Sequence, residues 1–420
     1  MTGILLLEAL HAAADRGVRV RVLLDDNNTS SDLDTALASL DAHPNIEVRL
    51  FNPFMIRSLR AIGYITDFSR LNRRMHNKSF TADNQATIIG GRNVGDEYFG
   101  ATEGVLFADL DVMAVGTVVK EVSNDFDRYW DSASSYPIDR VLPPVDPDSI
   151  RALALTASMV EHDPAAVAYM NAIRNSAVIR ELVQGSLPLE WVMTRMISDD
   201  PGKGLGLSTP EDHLTHELNW IIDEAEAEVE LVSPYFVPTA TGVDSFTAMA
   251  DRGVKIKIFT NSLEATDVPV VHAGYAKWRK PLLESGIKLY EMRRSSPETQ
   301  ENRRTDIMGS SGSSLHAKTF SVDHASVFIG SFNFDPRSAR LNTELGFVIE
   351  SATLARQIDA VFNGSIPENA YEVCLSDDGG LYWLENRNGK PLRHDTEPGT
   401  SFWQRAMVSL LSKLPIEWLL

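Results

Sequence analysis

Apolar and polar residues alternate with period two in two similar stretches, Val18-Arg19-Val20-Arg21-Val22-Leu23 and Val254-Lys255-Ile256-Lys257-Ile258-Phe259. That period predicts a strand with one face on a core. Each stretch follows nearly the same text, Ala14-Asp15-Arg16-Gly17 and Ala250-Asp251-Arg252-Gly253, in which a helix ends on a glycine turn. The two copies stand 236 residues apart. Further along, Ile46-Glu47-Val48-Arg49-Leu50 matches Ile287-Lys288-Leu289-Tyr290-Glu291 at offset 241, and His76-Asn77-Lys78 matches His316-Ala317-Lys318 at offset 240. An offset this steady over so long a span predicts a duplicated domain.

Each copy reads as helix, strand, helix, strand, a motif-bearing hairpin and a terminal helix, the first ending near Phe126 and the second near Phe362. Strands alternating with helices predict an α/β fold, a central sheet covered on both faces. The first domain is expected over 1–132 and the second over 208–370. Residues 133–207, with Pro137, Pro143, Pro144 and Pro147 followed by helical text over 165–182, read as a linker and insertion. Residues 371–420 read as a C-terminal hairpin and amphipathic tail, alternating over 371–393 around Asp377-Asp378-Gly379-Gly380 and Asn388-Gly389. The second copy opens with a helix over 216–227 and a strand over 229–232, running into Ser233-Pro234-Tyr235-Phe236. Their counterparts in the first copy would precede residue 1, so the first sheet is expected to lack a helix and a strand.

Composition narrows the function classes. At 43% hydrophobic and 8% aromatic residues the chain is an ordinary folded one. Its 39 basic and 58 acidic residues give a net charge of -19, which weighs against nucleic-acid binding and requires that any bound phosphate meet a local basic site. The single cysteine, Cys374, has no intramolecular partner, and Val373 and Leu375 around it predict a small apolar residue buried in a strand. No apolar run reaches the roughly 18 residues of a spanning helix, and the first ten residues lack a signal-peptide pattern.

The chemistry lies in two motifs of identical spacing, His76-x-Lys78-x4-Asp83-x6-Gly90-Gly91-x-Asn93 and His316-x-Lys318-x4-Asp323-x6-Gly330-Ser331-x-Asn333. On a strand, a histidine and a lysine two residues apart share a face, so each half offers an imidazole beside a fixed positive charge, a pair suited to phosphate. Glycines then allow a tight turn, and the asparagine returns an amide toward the same oxygens.

These motifs resemble the paired HKD motifs of the phospholipase D superfamily. The resemblance extends over almost the whole chain: Arg16-Gly17-Val18-Arg19-Val20, Leu24-Asp25-Asp26-Asn27, Phe107-Ala108-Asp109-Leu110-Asp111-Val112, Ser233-Pro234-Tyr235-Phe236 and Glu397-Pro398-Gly399-Thr400-Ser401-Phe402-Trp403 are similar to the C-type bacterial cardiolipin synthases. Members carry a further N-terminal strand before the position of Thr2-Gly3, where this sequence departs from the pattern. The resemblance implies two phospholipase D-like α/β/α sandwiches related by a pseudo-twofold axis, one motif from each meeting at a single site. It implies His76 as nucleophile and His316 as general acid and then base, with the reverse assignment as the alternative. Lys78, Lys318, Asn93 and Asn333 would hold the non-bridging oxygens. The acceptor orienting each imidazole would be Glu344 for one half and Asp109 for the other, with Asp111 as a fallback. Asp83 and Asp323 are expected to be structural, and no cofactor or metal is implied.

The function so implied is transfer of a phosphatidyl group onto phosphatidylglycerol, with phosphatidylethanolamine a possible second substrate, at the cytoplasmic side of the bacterial inner membrane. The alternatives are a phospholipase D-type hydrolase of lipid or nucleic acid and a membrane-binding protein without activity. No protein partner is assigned. Arg70, Arg73 and Arg74 are expected either to meet lipid headgroups or to be a solvated turn, and Arg303 and Arg304 to be solvated loop. Residues 54–65, with Arg57 and Arg60 interleaved, read as an interfacial segment or, with slightly more weight, a helix packed on its own domain. Residues 402–420, with Trp403, Leu410, Leu411, Trp418, Leu419 and Leu420 beside Arg405 and Lys413, are the better membrane candidate, or else cap the second domain.

Overall fold

A computed structural model describes the chain except for residues 28–30, 58, 100, 102–106, 147–154, 295–313, 388, 416 and 418–420. Arg303, Arg304, Asn388, Trp418, Leu419 and Leu420 thus lie outside the described residues. The strands in chain order are β1 (Val20–Asp25), β2 (Ile46–Phe51), β3 (Ser79–Ala82), β4 (Ala86–Gly90), β5 (Phe107–Ala108), β6 (Asp111–Val115), β7 (Ser135–Pro137), β8 (Thr194–Ser198) and β9 (Glu228–Val232). They continue as β10 (Lys255–Asn261), β11 (Lys288–Met292), β12 (Ser314–Leu315), β13 (Thr319–Val322), β14 (Ser326–Gly330), β15 (Leu345–Ile349), β16 (Ala370–Leu375), β17 (Leu381–Arg387) and β18 (Lys390–His394).

The repeat is visible in the backbone. The helices Thr2–Asp15 and Thr239–Asp251 run into Gly17 and Gly253, at φ 91° and 93°, a left-handed conformation that glycine adopts without steric cost, and β1 and β10 follow. In the second half one sheet holds ten strands in the order β18-β17-β16-β11-β10-β9-β13-β14-β15-β8. In the first half the corresponding strands form two separate sheets, β1-β2-β7 and β3-β4-β6. The strand that joins such parts in the second half is β9, parallel to β10 on one side and antiparallel to β13 on the other. Among the described residues the first half has no counterpart to it.

The consequence shows in burial. Phe320 and Phe328 pair across β13 and β14, stack at 5.1 Å and are each 1% exposed, beneath the helix Leu214–Asp223 and β9. Phe80 and Ile88 hold the same register across β3 and β4 but are 50% and 44% exposed. Asp323 likewise accepts the N–H groups of Glu226, Ala227 and Glu228 at the head of β9, tying the motif hairpin down, while Asp83 is exposed.

Among the described residues, the three largest apolar clusters hold most of the core. One fills the second half, from Leu214 and Leu218 through Leu231, Phe246 and Ile258 to Trp383. A smaller one fills the first around Leu37, Ile46, Val48, Leu50 and Ile138. The third joins the halves, bringing Ile89 and Val122 of the first against Ile329, Leu345 and Phe347 of the second.

Several expectations need correction. The span 133–207 is more than a linker and insertion, because β7 pairs with β2 in the first half and β8 pairs with β15 in the second. The C-terminal hairpin extends the second sheet, with β16 antiparallel to β11. Cys374 lies on β16 but is only half-buried. The arginines before the first motif are neither solvated nor free for headgroups: Arg74 is buried on Asp25, Arg70 pairs with Asp67, and Arg73 donates to the carbonyls of Lys203 and Arg340. In 54–65, Phe54 and Gly63 are buried and Arg57 and Arg60 pair with Asp34 of the first half, so one side is packed on its own domain, while Met55, Ile56, Leu59, Ile62 and Ile65 are exposed on the other. The tail helix Phe402–Leu411 both caps the domain, burying Val408 against Leu263 and Ala273, and leaves Phe402, Trp403 and Leu410 exposed.

Candidate active site

Each motif histidine is placed by strand register with the opposite half. Leu315 pairs with Ala108, so the next residues on each strand, His316 and Asp109, come together. Met75 bridges Thr343 in parallel, which does the same for His76 and Glu344. Backbone bonds fix both junctions: His316 N–H donates to Ala108 O at 2.7 Å, and His76 N–H to Thr343 O at 2.9 Å. His76 Nδ1 then lies 2.8 Å from Glu344 Oε2, and His316 Nδ1 lies 2.6 Å from Asp109 Oδ2. Each half thus orients the imidazole of the other. Asp111, the fallback acceptor, pairs with Arg92 instead.

The histidines and lysines do not lie within strands but on extended segments leading into β3 and β13. Each lysine curls back on its own histidine, Lys78 Nζ donating to His76 O at 2.7 Å and Lys318 Nζ lying 3.0 Å from His316 Nδ1. The glycines serve close approach. A Cβ at Gly90 or Gly330 would strike the carbonyls of Leu110 or Leu345, and one at Gly91 would strike the Asp109 carboxylate. Ser331, at the position of Gly91, uses its hydroxyl as a donor to Glu344 Oε2. Asn93 Nδ2 donates to the Tyr98 hydroxyl at 2.9 Å, and Asn333 Oδ1 is buried without a partner.

Four basic groups, largely buried, converge in the site, and their titration reflects it. Burial lowers the pKa of His76, and nearby Lys78 opposes the rescue offered by Glu344. Burial and the charges of Lys318, Lys78, His76 and Arg92 hold His316 well below its ordinary value. Burial brings Lys78 down to about 7 and Lys318 to about 8. Glu344 is pushed up by burial, but His76, Lys78 and Ser331 outweigh this, so its carboxyl is held low. In Asp109 burial wins and the pKa is raised. Such a site favours an anion with spread charge, the form a phosphodiester takes in transfer.

Behind Glu344 stands a support that the motifs do not announce. Asp199 Oδ2 accepts the Glu344 N–H at 2.8 Å and pairs with Lys203, both residues being buried. Ser338 donates to Glu344 Oε1 at 2.8 Å. On the first-half side, Asp25 accepts from Arg74 and from the Met75 N–H, steadying the segment that carries His76. The Leu24-Asp25-Asp26-Asn27 text carried a signal for Asp25; Asp199 and Lys203 sit in a segment outside the repeat, and Ser338 stands within it where the first copy has Tyr98, so repetition did not single it out.

The chain has relatives in sequence and in fold. The profile of the family described as "Cardiolipin synthase, PLD-like domain" matches residues 2–130 and 218–366, once in each half. Cardiolipin synthase C of Escherichia coli (strain K12) is 53% identical over 420 residues, covering 100% of this chain and 88% of that protein. Cardiolipin synthase 1 of Staphylococcus aureus (strain COL) is 23% identical over 368 residues, 87% of this chain and 59% of that protein. Among solved structures, phosphatidylserine synthase of Haemophilus influenzae Rd KW20 superposes with a TM-score of 0.62 at 15% identity, over 100% of this chain and 87% of that one, a likeness of fold. With a motif in each matched half and a relative this similar over the whole of this chain, the chain belongs to the cardiolipin synthase, PLD-like domain family of the phospholipase D superfamily.

Proposed function

We propose that this chain is a phosphatidyltransferase that makes cardiolipin, moving a phosphatidyl group onto the free glycerol hydroxyl of phosphatidylglycerol through a histidine-bound intermediate. The carrying observation is the crossed pair of imidazole–carboxylate contacts, His76 with Glu344 and His316 with Asp109. Each contact fixes a tautomer with Nδ1 protonated and Nε2 directed at substrate.

In the first step His76 Nε2 attacks phosphorus of the donor lipid. A P–N bond forms, the P–O bond to the leaving alcohol breaks, and the proton on His316 passes to the departing oxygen. In the second step the hydroxyl of phosphatidylglycerol gives its proton to His316 and attacks phosphorus, and the P–N bond breaks. Lys78, Lys318, Asn93 and Asn333 hold the non-bridging oxygens as charge gathers on them. Phosphatidylglycerol or phosphatidylethanolamine can supply the phosphatidyl group. Water in place of the acceptor alcohol would give phosphatidic acid, the product of a hydrolase.

Attachment to the cytoplasmic face of the bacterial inner membrane is part of the proposal. It is supported by the exposed Phe402, Trp403 and Leu410 on one helix and by Met55, Leu59 and Ile65 on the first half. Among the described residues no helix is long and apolar enough to cross a membrane, so contact from the surface fits. Nucleic acid is not expected as a substrate at a net charge of -19.

Mass spectrometry of phosphatidylglycerol vesicles incubated with the protein tests the reading. Cardiolipin formed in proportion to released glycerol is the expected result. Phosphatidic acid alone would make the chain a hydrolase. A labelled adduct that forms on His76 in His316→Ala protein given an activated donor, and not in His76→Ala, is expected; the opposite pattern would exchange the two roles.

A further inference from the structure

The two imidazoles share a spacing but not a surrounding. The His316 side chain is 7% exposed and that of His76 23%. Tyr98 meets His316 edge-on with ring centroids 4.9 Å apart, and it stacks on Phe107 at 4.8 Å. Its hydroxyl lies 3.4 Å from His316 Nε2, which Lys318 Nζ also faces at 3.3 Å, while Asp109 holds Nδ1. Because that hydroxyl oxygen already accepts from Asn93 Nδ2, its own proton is free to be donated, and Nε2 is the acceptor it faces. The result is an ordered chain from Asn93 through Tyr98 and His316 to Asp109.

The repeat sharpens the contrast. At offset 240 the position of Tyr98 is taken by Ser338 and that of Gly91 by Ser331. Both serine hydroxyls point to Glu344, the carboxylate behind His76, and so serve the far side of that ring. Among the described residues no aromatic ring or hydroxyl is in contact with His76 Nε2.

We propose that Tyr98 is a positioning residue that makes the two halves unequal, holding His316 Nε2 by its hydroxyl for proton transfer and leaving His76 Nε2 open for attack. The other charged groups facing His316 are Lys318, Lys78, His76, Arg92 and Asp109, all of them present whether or not Tyr98 carries its hydroxyl. Burial raises the Tyr98 hydroxyl to about 12, so it keeps its proton across the working range. The kinetic part of this inference rests on the phosphatidyl-transfer reading; the spectroscopic part does not.

Tyr98→Phe keeps both ring contacts and removes only the hydroxyl. In protein with ¹⁵N-labelled histidine, assigned with His316→Ala, the variant should shift the His316 Nε2 resonance, with Lys318 as its remaining neighbour, and leave the His76 signals in place. Losing a donor to the neutral ring should raise the His316 pKa by about half a unit to one unit, so the alkaline limb of kcat/KM moves up by the same amount. Turnover should fall about tenfold with KM unchanged. An unchanged His316 resonance and pH profile, or a rise in KM alone, would overturn the assignment and leave Tyr98 a packing or headgroup residue. If the wild type forms no cardiolipin, the functional reading fails while the nitrogen resonance still decides for or against Tyr98.

Discussion

His76 and Glu344 stand 268 residues apart in the chain and 2.8 Å apart in the site. The contact is made by register, since Met75 bridges Thr343 and each chain then advances by one residue. Glu344 is fully buried yet ionised, because His76, Lys78 and Ser331 together outweigh the effect of burial on it. A carboxylate so placed fixes the tautomer of His76 and favours positive charge on that ring as a bond to phosphorus forms.

Glu344→Gln should therefore cost about 10²- to 10⁴-fold in turnover, because the isosteric amide keeps the shape and removes the anion. Asp109→Asn should do the same through His316. Steady-state rates on phosphatidylglycerol vesicles, with melting curves as a control for folding, check this. Near-normal turnover in either variant would mean that the crossed contacts only hold the halves together.

The lysines predict a pH dependence of binding. Lys78 at about 7 and Lys318 at about 8 lie far below an ordinary lysine, so each is charged below its value and neutral above it. Both positive charges are present at pH 6, and the empty site loses them as pH rises past 8. KM for an anionic donor should then climb between pH 7 and 9, and inhibition by inorganic phosphate should weaken in parallel. A flat KM over that window would mean that the lysines stay charged.

How much of this was legible beforehand follows from the length scale of each signal. Identical spacing of His76-Lys78 and His316-Lys318 exposed the duplication and both motifs, because close neighbours in the chain leave a local pattern. Asp109 and Glu344 could be named from the strand after each motif, but which imidazole each one meets depends on pairing between the halves. The buried pair of Asp199 and Lys203 and the hydroxyl of Ser338 act through tertiary contact alone, and no spacing in the sequence marks them. Arg74 read as a surface charge because its partner, Asp25, is 49 residues away.

A buried network should govern acid stability. Arg279 pairs with Glu291 at 2.7 Å and with Glu397 at 2.5 Å, and His272 also faces Glu397. Burial opposes ionisation of Glu397, but the Arg279 charge outweighs it and takes the carboxyl down to about 2. A depressed carboxyl contributes stability above its unfolded value near 4.5, and the contribution is lost as pH falls toward 2. The full linkage is on the order of 3 kcal/mol. Glu397→Gln should lower the melting temperature at pH 7 and flatten its fall between pH 5 and 3; a variant whose pH dependence matched the wild type would remove Glu397 from the account.

Membrane contact has its own test. Phe402, Trp403 and Leu410 are 66%, 78% and 65% exposed on a helix whose opposite side is fixed to the second half through Val408. Replacing the three by serine should leave the fold intact and lower binding to anionic vesicles at least tenfold, since about 1.5 kcal/mol or more attends burial of each such side chain. Flotation of both forms with vesicles of phosphatidylglycerol and phosphatidylethanolamine measures it. Equal flotation would assign the contact to the exposed residues of 54–65.

The split in the first half predicts where the protein opens first. β1 and β3 each present an edge where β10 and β13 have β9 between them, and Phe80 and Ile88 face solvent where Phe320 and Phe328 are core. An unpaired edge leaves backbone groups to water, and an apolar pair left half exposed contributes less burial than one in the core, so β3, β4 and β6 should have a lower opening free energy than β13, β14 and β15. Hydrogen exchange should report this as amides of Thr81 and Ile88 exchanging well before those of Ser321 and Phe328. Thr81 has its counterpart in Ser321 and Ile88 in Phe328, so the comparison is between like positions of one fold. Equal protection in the two hairpins would show that the interface with the second half already does for β3 and β4 what β9 does for β13 and β14.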